Sequence, residues 1–407
     1  MMRRERERTG MATKGKPEKQ PDSPYYVAPL VTPSGERLPI LCRRDTGVPC
    51  ELALRWQIAA RRSRVAASTA RDDQRAVQRI YEWAEHALGE SLDDYLMAWR
   101  ELTPRQLTGL AQWVKAAGDT GLAGGIGASD AGLAPAAFNA RWRKIGLFLC
   151  WAAEWYSRDE RGRRGQQRAI ADAQARIVRL FGQHVQTVPL YATTNWLSAD
   201  EWACINAAIS LDREDVWPDP RIRFRNRVMV FMAINLGLRI GELLKLTLNQ
   251  LPRGPEEHLE IRRRPDDPHD TRGDEPAVKT SERELYVPRF LRGLQAEYTA
   301  TYRYPSPSPY VFIAQGKRPL SSRGARHICE RITKITGVPL GWHRFRHTFF
   351  DRVYSDIKHR ENGEDLLQAI GGWNSSSSSD PYVRDALRRE ADAVLSGYQD
   401  GLSPPSA

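Results

Sequence analysis

The sequence predicts a mainly helical protein with a small β-sheet: a helical domain followed by an α+β domain. Three observations lead there. Apolar residues recur at helical spacing over most of the chain after Leu52. Only two short stretches, His258-Leu259-Glu260-Ile261-Arg262 and Arg283-Glu284-Leu285-Tyr286-Val287-Pro288, alternate as strands do. A charge run at 157–168 separates two helical blocks and reads as a linker or the start of an exposed helix.

Taken in order, 1–23 is polar, basic and poor in apolar residues, so it is expected to be disordered, either tracking DNA or simply solvated. The Pro-rich 24–50 reads as irregular, and 1–50 together as a basic N-terminal extension. Residues 51–185 read as a helical domain with linker. Val77, Ile80, Tyr81, Ala84 and Leu88 form one stripe, with Arg75 and Arg79 off it. Thr103-Pro104 is an N-cap followed by Pro at the first helical position. After a Gly/Ala-rich loop at 118–132, a helix over 135–156 places Phe138, Trp142, Ile145, Phe148, Leu149 and Ala152 on one side. Arg141, Arg143 and Lys144 crowd the other, a candidate DNA-binding face. A further amphipathic helix covers 169–181.

Residues 186–407 read as the second domain. Ser198 and Glu201 have capping-box spacing. A long helix over 223–236 follows, then the two alternating stretches, joined by a polar Pro/Asp/Gly-rich loop at 264–275. Helices resume near Leu291 and continue beyond the Pro-rich 304–310.

The chain has 407 residues, 41% hydrophobic and 27% charged, room for two or three domains. Mean hydropathy is −0.57. No apolar run approaches the ~20 residues that a membrane helix needs, and the best, 228–238, is flanked by Arg227 and Arg239. The first twenty residues lack the apolar segment of a secretory signal. Five cysteines without CxxC spacing argue against a disulfide framework or zinc ribbon, so a reducing cytoplasm is expected. Net charge is +11, mostly from Arg, whose planar guanidinium suits phosphate. That balance points to nucleic acid.

Four local features carry chemistry. Arg239 closes a long apolar helix in Gly237-Leu238-Arg239-Ile240-Gly241-Glu242; held rigid by Glu242, it could clamp a phosphate. Lys279, before a strand that starts at Arg283, could swing into a site from a hairpin tip as a proton donor. His343 and Arg346, three apart, face one side of a helix and could share a phosphoryl oxygen. His343 and His347 also have the spacing of a zinc helix. However, Arg344 stands where the metalloprotease motif needs Glu, and two arginines repel a cation, so no metal is expected. Finally, Tyr382 lies nine residues after Trp373, and nearby cations would ready its phenol as a nucleophile.

Together these residues resemble the tyrosine recombinase (phage integrase) family, over about residues 66–398 and most strongly over 223–382. Arg239 matches the first arginine, Lys279 the β-hairpin lysine, and His343 with Arg346 the His-x-x-Arg box. Trp373 falls where the family has a second His or Trp, and Tyr382 matches the nucleophile. Phe345 replaces the usual Leu, Arg344 an acidic or polar residue, and the Ser-rich run before Tyr382 lacks the usual apolar residues.

The resemblance implies a helical core-binding domain and a catalytic domain forming a clamp on double-stranded DNA. It implies attack by Tyr382 on a phosphodiester, with Arg239 and Arg346 on the non-bridging oxygens. His343 and Trp373 would assist the phosphate, and Lys279 would protonate the leaving 5′ oxygen. It further implies a 3′-phosphotyrosine intermediate without metal, ATP or other cofactor, and a homotetramer on DNA, with accessory proteins as optional partners, associated with the nucleoid. Integration of a mobile element is the expected role. The alternatives are a DNA-binding protein that has lost catalysis, a type IB topoisomerase with the same chemistry, and a metal-dependent hydrolase using His343 and His347.

Overall fold

The computed structural model describes residues 23–116, 132–157, 164–188 and 196–391, except positions 63, 99, 255, 376–378, 380, 381, 384–386, 388 and 389. The basic arm, nearly all of the Gly/Ala-rich loop, the middle of the charge run and the centre of the Ser run therefore lie outside the described residues.

The first domain begins earlier than the sequence suggested. Strands β1 (Tyr25–Val31) and β2 (Arg37–Arg43) pair antiparallel, with Tyr25 opposite Arg43 and Pro29 opposite Pro39. This corrects the reading of 24–50 as irregular extension. Pro removes a ladder donor, which argues against a central strand, but a two-stranded ribbon is all edge and tolerates it. Tyr25, Leu41 and Cys50 are buried in the core of the helical domain, so the hairpin belongs to it.

Among the described residues, six α-helices complete that domain: α1 (Glu51–Trp56), α2 (Ala67–Ala87), α3 (Leu92–Met97), α4 (Pro104–Ala116), α5 (Pro135–Ser157) and α6 (Arg164–Gly182). Val77, Ile80, Tyr81 and Ala84 of α2 are buried, as the stripe required. So are Phe138, Trp142, Ile145, Phe148, Leu149 and Ala152 of α5. Trp142 stacks on Phe181 at 4.1 Å and donates its indole N–H to the Phe181 carbonyl at 2.9 Å, fastening α5 to α6. At the head of α4, Thr103 N–H donates to Gln106 Oε1 (2.8 Å) and Gln106 N–H to Thr103 Oγ1 (3.3 Å), a reciprocal cap.

The second domain opens with α7 (Ala199–Ala208), capped by Ser198 and Glu201 as their spacing predicts. Helix α8 (Pro220–Leu236) is buried nearly all round, so it forms the centre of this domain. Around it lie α9 (Ile240–Lys245), the antiparallel pair β3 (His258–Ile261) and β4 (Arg283–Tyr286), α10 (Arg289–Glu297), α11 (Ser322–Thr336), α12 (Trp342–Ile357) and α13 (Gly363–Gly371). Phe224, Met229, Leu243, Leu259, Ile328 and Phe345 are part of its main core. A smaller cluster, Phe350, Tyr354, Leu367, Trp373 and Tyr382, packs between α12 and α13. Among the described residues no helix is long and apolar enough to cross a membrane.

Helix α8 ends at Gly237 in the left-handed region, φ +60°. A Cβ there would lie 2.3 Å from Phe349 Cδ1. This turn sends the chain to Arg239 and presents the Gly237 carbonyl to α12. Gly237→Ala should therefore lower stability by about 1–3 kcal/mol, through backbone strain and overlap with Phe349. A urea midpoint equal to that of the unsubstituted protein would contradict this account of the turn.

Candidate active site

Arg239 stands at the head of α9. Its backbone N–H donates to Glu242 Oε2 at 2.8 Å. The sequence reading had Glu242 holding the Arg239 side chain, and the structure corrects this. The carboxylate instead takes Arg283, at 3.0 Å (Nη1–Oε1) and 3.2 Å (Nη2–Oε2), and the Thr280 hydroxyl. Burial pushes the Glu242 carboxyl up, but Arg283 and Thr280 outweigh it and hold it below its ordinary value. The Arg239 guanidinium is half-buried, its Nη1 without a hydrogen-bond partner. Burial lowers its pKa, Glu242 opposes that, and Arg283 adds to it.

Arg346, on α12, is 3% exposed. Its Nη1 donates to the Gly237 carbonyl and its Nη2 to the Gly371 carbonyl at 3.1 Å, bridging the α8 turn to the end of α13. Its guanidinium lies 4.5 Å from the Phe350 ring centre and 5.3 Å from that of Trp373. Burial first, then the charge of Arg239, push its pKa down to about 10, which still leaves it a cation at neutral pH.

His343 precedes Arg346 by three positions on α12 and is exposed. The protein crowding its ring lowers its pKa first, followed by the charges of Arg239, Arg346 and Lys279. The His343 imidazole is thus in electrostatic reach of all three cations. A neutral imidazole there can accept a proton.

Tyr382 is 7% exposed and stacks on Trp373 with ring centres 5.5 Å apart and planes at 19°. Phe350 and His347 flank it, each at 5.4 Å. The phenol acts electrostatically on both Arg239 and Arg346, which brings the fourth feature of the sequence to the first and third.

Lys279 is exposed, but not at a hairpin tip. Strands β3 and β4 are joined by the long connection 262–282, and Lys279 lies on its final arm. That arm is fastened on both sides. A Cβ on Gly241 would lie 2.2 Å from the Ala277 carbonyl oxygen, so only glycine lets the arm rest on α9. Ser281 N–H donates to the Gly372 carbonyl at 3.0 Å, and Arg283 Nε to the Ile370 carbonyl at 2.9 Å.

Of the basic residues on α5, Arg143 is exposed and Arg141 half-buried. Lys144 Nζ lies 3.4 Å from Asp73 Oδ1, a buried carboxylate that also holds Arg61. Lys144 is thus engaged within the domain. Sequence reasoning passed over Arg283 and Thr280. Arg283 was detectable, since it shares the phase of the buried Leu285 and Val287, and a buried guanidinium requires a carboxylate. Among the described residues no group of three or more His, Cys, Asp or Glu could hold a metal ion.

The match to a known family covers the groups from Arg239 to Tyr382: residues 196–389 fit the model of the phage integrase family. Residues 196–389 belong to the phage integrase family, the tyrosine recombinases. No curated protein matches the chain. Among solved structures, the Tn1549 transposon integrase in complex with a circular intermediate DNA is 16% identical. It covers 85% of this chain and 98% of its own, with a TM-score of 0.55. The same integrase with transposon right end DNA is 15% identical, covering 85% and 99%, with a TM-score of 0.54. At such identities the likeness is one of fold, and it extends over both domains of the chain.

His347 gives this site a measurable acid sensitivity. Burial, then His343 and Arg346, push it down to about 4, so the fold keeps it neutral. An unfolded chain protonates it near its ordinary ~6.5. Its contribution is full above ~6.5 and is lost as pH falls toward the folded value. His347→Gln should reduce the stability lost between those pH values by on the order of 2 kcal/mol. An unchanged pH slope of the urea midpoint would contradict this.

Proposed function

We propose that this protein is a site-specific DNA recombinase of a mobile element, cleaving and rejoining strands through a 3′-phosphotyrosine at Tyr382. The observation that carries the reading is that Arg346 packs on Phe350 and Trp373, the rings that hold Tyr382, with Arg239 in electrostatic reach of Arg346 and Tyr382, inside an integrase-family domain.

In this mechanism the phosphodiester sits over Arg239 and Arg346, whose guanidinium groups neutralise its non-bridging oxygens as charge grows in the transition state. The neutral His343 accepts the phenol proton or donates its ring N–H to a phosphate oxygen. Trp373, stacked against Tyr382, sets the ring and offers an N–H donor, but cannot transfer a proton. Lys279 protonates the departing 5′ oxygen. The phosphotyrosine conserves the bond energy, so rejoining needs no nucleotide.

The helical and catalytic domains act as a clamp on duplex DNA, with the exposed Arg143 among the contacts, and exchange between two duplexes calls for a tetramer. Likeness of fold to the integrase of a transposon, seen with circular intermediate and right end DNA, favours a mobile-element role over chromosome resolution. The intact set of catalytic side chains favours an active enzyme over a DNA-binding remnant. A type IB topoisomerase would share the chemistry but would not join strands from two different duplexes.

A nicked duplex that traps the covalent complex tests the reading. The adduct should form in EDTA, and Tyr382→Phe should abolish it while DNA binding persists. Arg239→Lys and Arg346→Lys should each slow cleavage by ~10²–10³-fold although charge is kept, because a lysine cannot make the forked contact. Lys279→Ala should cleave ordinary DNA poorly but a 5′-bridging phosphorothiolate almost normally, since a thiolate leaves without a proton. Near-normal cleavage by both lysine variants, or an absolute need for a divalent cation, would overturn the assignment.

A further inference from the structure

Arg37 belongs to the hairpin of the helical domain, yet it is only 4% exposed, because it is inserted into the catalytic domain. Its Nε donates to the Arg272 carbonyl (3.2 Å) and its Nη2 to the Asp270 carbonyl (2.6 Å). Its Nη1 reaches Glu275 Oε2 at 2.7 Å and the Gly35 carbonyl at 2.7 Å. Its backbone N–H donates to Asp266 Oδ1 at 3.2 Å. Apart from Gly35, every one of these acceptors lies in the connection that carries Lys279.

Glu275 is the hub of that connection. Its carboxylate accepts the backbone N–H groups of Asp266 (3.1 Å) and Asp267 (3.2 Å) and pairs with Lys245 Nζ at the end of α9. The side chains of Arg37, Glu275 and Lys245 are 2%, 6% and 3% exposed, so this ion triad is shielded from water. Four residues after Glu275 comes Lys279. From there the arm is tied to Glu242 by Thr280 and to the end of α13 by Ser281. The Lys279 backbone is thus stretched between two anchors, one built wholly within the catalytic domain and one completed by Arg37.

We infer that Arg37 is a positioning residue for Lys279: by completing the buried anchor at Glu275, docking of the helical domain's hairpin sets the general acid. This rests on the role given to Lys279 above. General-acid catalysis is steep in distance, and a displacement of ~1 Å can cost about 10²-fold in rate. Undocking of the hairpin removes one of the two cations that face Glu275, leaving Lys245, and frees the start of the Lys279 arm. Arg239 and Arg346 are held through Glu242, Gly237 and α13, and Tyr382 through Phe350 and Trp373, so they keep their places. Leaving-group protonation is therefore coupled to closure of the two domains, while nucleophile and clamp are not.

The test compares two nicked duplexes, differing only by sulfur at the 5′-bridging position, under single-turnover conditions with the full chain in saturating excess. Arg37→Ala should cleave the ordinary duplex about 10²-fold more slowly and the sulfur-bridged one at nearly the wild-type rate. Glu275→Gln, which keeps shape but removes charge, should show the same pattern. Thermal melting checks that each variant folds; where Arg37→Ala does not, Arg37→Lys and Glu275→Gln carry the comparison. Equal slowing on both duplexes, or no slowing by a folded variant, overturns the inference while leaving the recombinase reading intact, provided that Lys279→Ala is rescued by sulfur. If Lys279→Ala is not rescued, the acid assignment fails and the inference with it. If the wild type forms no adduct on either duplex, the recombinase reading itself fails.

Discussion

The buried carboxylate of Glu242, 1% exposed, is the interaction on which the rest of the site depends. A lone carboxylate at such depth would be costly; here Arg283, the Thr280 hydroxyl and the Arg239 backbone N–H satisfy it. Each of those partners belongs to a different piece of the site. Arg239 is the head of α9, Thr280 follows Lys279, and Arg283 starts β4 and reaches on to the Ile370 carbonyl beside Trp373. One charge therefore sets the relative positions of Arg239, Lys279 and the segment leading to Tyr382. Removing it would also strand a buried guanidinium, so its loss should disturb all three together.

The same arrangement explains the electrostatic character of the pocket. Arg239, Arg283 and Arg346 surround a single carboxylate, and Lys279 adds its charge at His343. The excess positive charge is held in place by backbone carbonyls and aromatic faces rather than by further acids. Such a cluster is organised before substrate arrives and gains most when an anion enters. A phosphodiester, whose charge rises in the transition state, fits that requirement. The depressed values of His343 and Arg346 reflect burial first and the neighbouring cations second.

Much of this was legible in the sequence, for reasons that differ by residue. Arg239, His343, Arg346, Trp373 and Tyr382 lie in short local motifs, where a fixed spacing along a helix or turn brings chemistry to one side. The helix over 135–156 was legible because its apolar side is wide and uninterrupted. The hairpin at 25–43 was not, because Pro29 and Pro39 imitate irregular chain until their pairing in a ribbon is known. The true partner of Glu242 was hidden for another reason. Arg239 is its neighbour in sequence, whereas Arg283, 41 residues away, meets it only after the long connection folds back. Lys144 looked like part of a basic face, but sequence alone could not show the buried Asp73 beneath it.

The central claim is that these groups are arranged around Tyr382 as the nucleophile. Digestion of the trapped complex of the unsubstituted protein with nicked DNA, followed by mass spectrometry of the nucleotide-bearing peptide, tests this most directly. The account predicts a 3′-phosphoryl link on the Tyr382 side chain. A link on Tyr354 or Tyr398, or an adduct on any residue other than tyrosine, would contradict it.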